Sequence, residues 1–570
     1  MKIIGLNHGE IDSSAALVVG GKVVAACSEE RFNRQKKSRA FPQQALQFCL
    51  RTGRLELQGC DAVAQAWNPG ESWLKYNPLI SAHRIRREDN FYSIPDHLFS
   101  FSGRRPLDWS AMDFPAGAGV PRIYHITHHR AHAANAFFLS PFDEAAILTC
   151  DWRGEFESTT WCVGRGNRIS VLDRLSVPHS LGMFYATFTE LLGYRPDNDE
   201  WKVMALSAFD VDCRRAYRKL KGTYTLLDNG HFELDQSYYK GALLDQPRLY
   251  TKKLQDLLGG RCGKPGEDIT EWHCVVAKAM QQAAEDIATH ALRYLHKATG
   301  SRNLAVSGGF FMNSVFNGKV LDNTPFQRFY VSYAPGDLGN SVGAALYAAH
   351  CIHHERRRES PRLSYLGPEY SAADIEQCLE RRRLRYERCR SIERDIARLL
   401  AEGQIVAVFQ GRLEFGERAL GNRSILADPR REDIKDRINA SIKYRESYRP
   451  FAPSVLLEEA HHYFDVPKGF DAPYMERVVP VRPRFRKVLP AITHVDGSGR
   501  IHTVRKEHNP RYYRIIDQFR KITGFPVVLN TSFNINGEPI VASPDDALNT
   551  FFNSGIEYLA LGDFLLSKTP

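Results

Sequence analysis

The chain has 570 residues, 43% hydrophobic and 25% charged, with a formal net charge of +10, close to globular averages and long enough for two or more domains with sizeable cores. Eleven cysteines without any C-x-x-C spacing exclude a disulfide framework or zinc ribbon, and no apolar run approaches the ~18 residues of a membrane span. The positive charge admits nucleic acid but serves anionic small substrates equally well.

The N-terminus lacks the apolar stretch of a signal peptide, so a cytoplasmic location is expected. Residues 3–7, 15–19 and 22–26 read as strands, with Gly20-Gly21 as a two-residue hairpin turn. The pattern returns at 146–150, 159–163 and 169–172, with a turn at 164–167. The loops match as well: Gly9-Glu10-Ile11-Asp12-Ser13-Ser14 lies over Gly154-Glu155-Phe156-Glu157-Ser158-Thr159. This points to an internal duplication and to an actin-like ATPase architecture, with two polar loops facing each other across a cleft.

Residues 271–299 form a long periodic helix ending at Gly300. Strands at 304–306 and 329–331 deliver Gly308-Gly309 and Pro335-Gly336-Asp337 to a cleft, and a small-residue helix follows at 343–349. A composition break with the basic run Glu355-Arg356-Arg357-Arg358 reads as a solvated linker. The expected domains are therefore 1–354 and 366–570, joined by 355–365. The second mixes helices (372–383, 395–402) with strands (405–410, 527–529).

Two constellations carry chemistry. His128 and His132 stand at i, i+4 and share one helical face, a spacing that suits two ligands of one divalent ion. Asp151 and Asp337 lie at strand-end turns, and two histidines with carboxylates suit iron(II), manganese or zinc. Surface histidines are the bland alternative. The second set is basic: Arg418, Arg423, Lys443, Arg445, Arg449 and Arg500, followed by Asn530-Thr531-Ser532-Phe533-Asn534. A solvated basic face is the alternative here. The rigid Arg449-Pro450-Phe451-Ala452-Pro453 favours a pocket for a nucleotide triphosphate or acyl phosphate.

At these residues the chain resembles the carbamoyltransferase family that includes the nodulation, cephamycin and tobramycin enzymes. The motifs run through Glu29-Glu30-Arg31-Phe32 with Arg34 and Lys36, His128 to His132, Ser180-Leu181-Gly182, Lys202-Val203-Met204, Gly308-Gly309 with Asn313, and Gly336-Asp337. Arg418-Ala419-Leu420-Gly421, Arg449 to Ser454 and Leu529 to Asn534 continue them. The resemblance implies an actin-like N-terminal domain, similar to tRNA threonylcarbamoyl transferases, and a C-terminal domain similar to threonylcarbamoyl-adenylate synthase. The C-terminal domain would form carbamoyl-adenylate from carbamoyl phosphate and ATP, with Mg2+ a further candidate ion. The N-terminal domain would pass the carbamoyl group to a hydroxyl.

By this resemblance His128, His132, Asp151 and Asp337 match the ligands of an iron site, Lys36, Gly308, Gly309 and Asn313 the nucleotide segments, and Arg418, Lys443, Arg445, Arg449, Arg500, Asn530 and Ser532 the adenylate-forming pocket. Expected partners are ATP, carbamoyl phosphate and a small hydroxylated acceptor, with a homodimer open. Neither a membrane nor nucleic acid is expected, an RNA-modifying protein being the competing class. Two departures stand out. Ile11 occupies the place of the family's loop histidine, leaving His8, Asp12 or the metal to assist the acceptor. Trp152 interrupts the family's Asp-Gly-x-Gly-Glu.

Overall fold

The computed structural model describes residues 1–9, 12–68, 108–115, 117–240, 248–357, 364–446 and 448–568. Glu10, Ile11, Arg358, Pro361 and much of the stretch 66–115 lie outside them.

Apolar runs bounded by turns become strands in two units of one design. β1 (Lys2–Asn7), β2 (Ser14–Val19) and β3 (Lys22–Ser28) form an antiparallel meander. β1 then pairs in parallel with β4 (Ala62–Gln65), with β5 (Trp109–Met112) at the far edge beside β6 (Ile123–Ile126). The second unit repeats this with β7 (Glu144–Cys150), β8 (Glu157–Arg165) and β9 (Arg168–Ser176). β10 (Tyr224–Leu226) and β11 (Phe232–Leu234) make a separate ribbon before β12 (Asn303–Ser307) and β13 (Arg328–Val331). The orders β3-β2-β1-β4-β6 and β9-β8-β7-β12-β13, with matching directions, establish the duplicated actin-like arrangement that the loop repeat suggested.

Between the sheets lie the helices His128–Leu139 and Asn340–Tyr347, the first buried along its whole length. A helix enclosed on every side must be small, and four alanines serve that end. The two helices approach so closely that a Cβ on Gly343 would stand 1.9 Å from the Ala131 carbonyl oxygen. The Glu271–Thr299 helix covers the other face of the second sheet and ends at Gly300 in the left-handed conformation, φ 64°.

The C-terminal part is a nine-stranded mixed sheet, with Val406–Phe409, Arg423–Ala427, Val527–Ser532 and Ala452–Leu456 as adjacent strands. The whole is mixed α/β. The N- and C-terminal parts share apolar core: Phe415, Leu420 and Tyr474 pack with the first part's helices, and Leu413, Ala419 and Ile540 with β1 and β2 residues. Among the described residues no helix is long and apolar enough to cross a membrane. All eleven cysteines are free, eight of them buried, which fits the reading of buried thiols.

Three expectations are corrected. β8 and β9 run longer than expected, so the turn is only Gly166-Asn167 and Gly164 lies within the ladder. The helix expected at 343–349 starts at Asn340, because the turn Asp337–Gly339 winds straight into it. The basic run is not a solvated linker at its start. The Arg357 guanidinium donates to the carbonyls of Phe137 (2.8 Å), Phe138 (3.3 Å), Ser140 and Phe142, satisfying orphan acceptors at a helix C-terminus. Glu355 meets the N-terminal amine of Met1.

Candidate functional site

His128 and His132 stand on the first turns of the helix that follows β6, Asp151 directly follows β7, and Asp337 lies in the turn after β13. All four therefore sit at the carboxyl ends of strands, where open α/β sheets place ligands. Their ligand atoms lie within 4.8 Å of one another, and all four residues are buried. The His132 Nε2 is 2.9 Å from Asp151 Oδ2, 3.3 Å from Asp337 Oδ1 and 3.0 Å from His128 Nε2.

Neighbouring groups fix these side chains. The Ser307 hydroxyl donates to the Pro335 carbonyl (2.9 Å) and lies 3.0 Å from His132 Nδ1. Its own proton is thus committed, so it accepts from Nδ1–H and leaves the His132 Nε2 lone pair facing the carboxylates. Asp151 accepts from the backbone N–H of Trp152 (2.7 Å) and of Gly309 (3.0 Å). Gly308 has no freedom to carry a side chain: at φ 109° its Cβ would stand 2.1 Å from the Cys150 carbonyl oxygen. Ser180 donates to the carbonyls of Asp151 (3.1 Å) and Trp152 (2.6 Å) while capping the helix that follows.

The His132 lone pair, the His128 ring and two carboxylates converge, and among the described residues Asp337 Oδ1 is buried without a hydrogen-bond partner. Such a donor set demands a cation. Burial works against charge on His128, yet Asp337 and Asp151 outweigh it and push its pKa up to about 9. The donor set thus fits a divalent ion of the iron, manganese or zinc kind.

The second constellation also assembles. Lys36, Arg418, Lys443, Arg445, Arg449 and Arg500 repel one another: burial lowers the pKa of each, and for all but Arg418 cationic neighbours lower it further. The Lys443 ammonium is buried and donates to the Ser532 (2.6 Å) and Asn534 (2.9 Å) carbonyls. Arg445 donates to Asn439 (2.9 Å) and its guanidinium lies 4.3 Å from the Phe451 ring centroid. Lys36, Arg418 and Arg500 have no hydrogen bond or ion pair among the described residues, and Arg500 Nε is buried. Lys36 comes from the N-terminal part, where Glu30 raises its pKa and Arg449, Lys37 and Arg31 lower it.

The other expected residues have partners of their own. Arg423 lies outside the basic group. It is fully buried, donates to the carbonyls of Gln410 (2.6 Å) and Asn422 (2.9 Å), and its guanidinium lies 3.6 Å from the Phe409 ring centroid. The Asn313 side chain accepts from Phe316 N (3.1 Å) as a helix cap and donates to Gln281 (3.0 Å). Asn530 donates to Ala419 O (3.1 Å) and Ser454 Oγ (3.0 Å). His8 is half-buried with its ring edge-on to Phe41 at 5.3 Å, and burial lowers its pKa. Asp12 is pushed up to about 7, by burial first, with Lys37 opposing and Glu30, Asp337 and Glu417 adding to the rise. Trp152 adjoins Asp151, and its Nε1 is buried without a hydrogen bond among the described residues.

Two family models match in order along the chain: the carbamoyltransferase N-terminus over residues 107–346 and the carbamoyltransferase C-terminus over residues 397–568. The chain belongs to the carbamoyltransferase family. Nodulation protein NolNO of Sinorhizobium fredii is 38% identical over 98% of this chain and 79% of its own length. An uncharacterized protein of Synechocystis is 35% identical over 100% and 97%. The 3'-hydroxymethylcephem-O-carbamoyltransferase of Amycolatopsis lactamdurans is 28% identical over 86% and 92%.

Motif reading of this carbamoyltransferase missed the residues that orient the ligands and the cations. Ser307 and Asn340, whose Nδ2 lies 3.1 Å from His132 Nε2, carry no local signal. Trp201 meets Arg449 only through the tertiary fold, whereas Glu446 stands three residues before it.

Proposed function

We propose that this carbamoyltransferase is an ATP-dependent O-carbamoyltransferase with two sites. Residues 366–570 form carbamoyl-adenylate from carbamoyl phosphate and ATP. Residues 1–354, joined through 355–365, transfer the carbamoyl group to a hydroxyl of a natural-product or sugar acceptor. The observation that carries this reading is the group of cations Arg418, Lys443, Arg445, Arg449 and Arg500, with the exposed Lys36 acting on it; the Lys36, Arg418 and Arg500 side chains make no hydrogen bond among the described residues. Mutual repulsion makes the group costly until an anion with several negative charges enters.

In this reading Arg418, Arg500 and Lys36 neutralise the triphosphate and the acyl phosphate. Lys443 is held by Ser532 and Asn534 as a fixed point charge. Atom balance requires one water and one released phosphate. Carbamoyl phosphate loses its phosphate to leave carbamate, whose oxygen attacks the α-phosphorus of ATP, and pyrophosphate departs. In the transfer site, His128, His132, Asp151 and Asp337 would hold a divalent ion, iron(II) by our reading, which supplies Lewis-acid chemistry. A hydroxyl oxygen then attacks the carbamoyl carbon, and AMP leaves.

The acceptor proton goes to Asp12 rather than His8, because the Asp12 carboxylate shares the electrostatic field of Asp337 while the described neighbour of His8 is the Phe41 ring. Asp12→Asn is expected to slow transfer from supplied carbamoyl-adenylate by ~10²–10⁴-fold, and His8→Asn to leave it near wild type. A base must be unprotonated, so wild-type transfer rises with pH through the Asp12 pKa, which a bound cation moves downward. The rising limb disappears in Asp12→Asn. The reverse pattern of the two variants would hand the role to His8.

The test of the proposal is an incubation with ATP, carbamoyl phosphate and a panel of hydroxylated natural products and sugars. A mass gain of one carbamoyl group that requires both co-substrates supports it, and gain without ATP overturns it.

A further inference from the structure

The Glu200–Leu206 helix belongs to the N-terminal part, where Val203 and Leu206 are fully buried in its core. Trp201 stands on its first turn and reaches across to the basic group of the C-terminal part. The Arg449 guanidinium carbon lies 3.5 Å from the Trp201 ring centroid, close enough for a strong cation–π contact. The indole is itself held, because its Nε1–H donates to the Asn198 carbonyl at 2.9 Å. Glu446 completes the arrangement, 3.6 Å from Arg449 Nη1 and 3.2 Å from Lys202 Nζ on the same helix.

Arg449 needs such restraint. It is surrounded by cations, among them Arg418, Lys443, Arg445 and Arg500, and repulsion alone would turn its long side chain outward. The Glu446 carboxylate, at 3.6 Å, offsets only part of that repulsion. The face of an indole holds a guanidinium while leaving its charge and its N–H donors available for an anion.

We propose that Trp201 is a positioning residue of the anion pocket: supplied by the transfer half of the chain, it fixes the Arg449 guanidinium in the orientation that receives the phosphates. The inference rests on the adenylate-forming reading above. It also makes the pocket incomplete without the N-terminal part, so adenylate formation depends on the two halves being docked.

The test uses the full chain, with inorganic pyrophosphate as the calorimetric probe and pyrophosphate release from ATP and carbamoyl phosphate as the kinetic one. Trp201→Leu keeps apolar bulk but has no aromatic face. It is expected to weaken pyrophosphate binding and raise KM for carbamoyl phosphate by about 2- to 30-fold, with kcat within about 2-fold of wild type because Arg449 can still be drawn in at saturation. Trp201→Phe restores most of the loss. In an Arg449→Gln background Trp201→Leu adds nothing, since the partner is gone. Wild-type binding by Trp201→Leu, or a loss that persists in the Arg449→Gln background, overturns the positioning role while leaving the pocket reading intact. Should Trp201→Leu fail to fold, Trp201→Phe with wild-type binding supports the role, and Trp201→Phe that folds but binds no better than Arg449→Gln overturns it. A wild-type chain that binds neither pyrophosphate, ATP nor carbamoyl phosphate removes the reading on which the inference rests, and the inference with it.

Discussion

Arg418→Ala is expected to reduce pyrophosphate release from ATP and carbamoyl phosphate by ~10²–10³-fold, the usual cost of losing one preorganised group that stabilises developing charge. The choice of Arg418 over Lys443 follows from their surroundings. The Lys443 ammonium satisfies the Ser532 and Asn534 carbonyls, so removing it leaves unpaired buried acceptors and threatens the fold. Arg418 makes no hydrogen bond or ion pair among the described residues, and the carboxylate that acts on it is its neighbour Glu417. Its loss removes charge from the pocket and little else. The variant should melt like the wild type, keep its metal, and still transfer from supplied carbamoyl-adenylate. A folded, metal-bound Arg418→Ala that fails with the supplied adenylate contradicts the division of labour.

His132→Ala carries the second large effect. It removes one of four convergent ligands, while Ser307 keeps its bonds to the Pro335 carbonyl and the Asn135 amide. Loss of a mere orienting neighbour commonly costs ~10- to 100-fold in metal affinity, so loss of a ligand should exceed the upper end of that range. Elemental analysis of the purified variant is expected to find the ion absent and transfer abolished, with pyrophosphate release preserved. Full occupancy in His132→Ala would dismiss the cluster as the metal site.

The residues that announced themselves in the sequence did so for local reasons. The hairpin at Gly20-Gly21, the helix stop at Gly300 and the i, i+4 histidines are each set by a few adjacent residues. The duplication was legible because each unit must build the same meander before its parallel strands. The histidines could be grouped with Asp151 and Asp337 because both aspartates follow strand ends, although the four meet only through the parallel pairing of β12 with β7 and β13. Arg423 was grouped with the pocket because charge alone cannot distinguish a ligand-facing arginine from one enclosed by its own carbonyls. Arg357 misled for the same reason, as a run of like charges looks solvated until a helix end lies beside it. Trp201 was invisible, because nothing near it in sequence indicates that Arg449 will arrive over its ring.

Phosphorus NMR of a single incubation tests the central claim most directly. The full chain would receive ATP and carbamoyl phosphate without an acceptor, and the products would be followed in the wild type and in Arg418→Ala. The account predicts pyrophosphate, inorganic phosphate and carbamoyl-adenylate, or AMP from its hydrolysis, in equal amounts from the wild type and none from the variant. ADP appearing in place of pyrophosphate, or carbamoyl phosphate consumed equally fast without ATP, would contradict it.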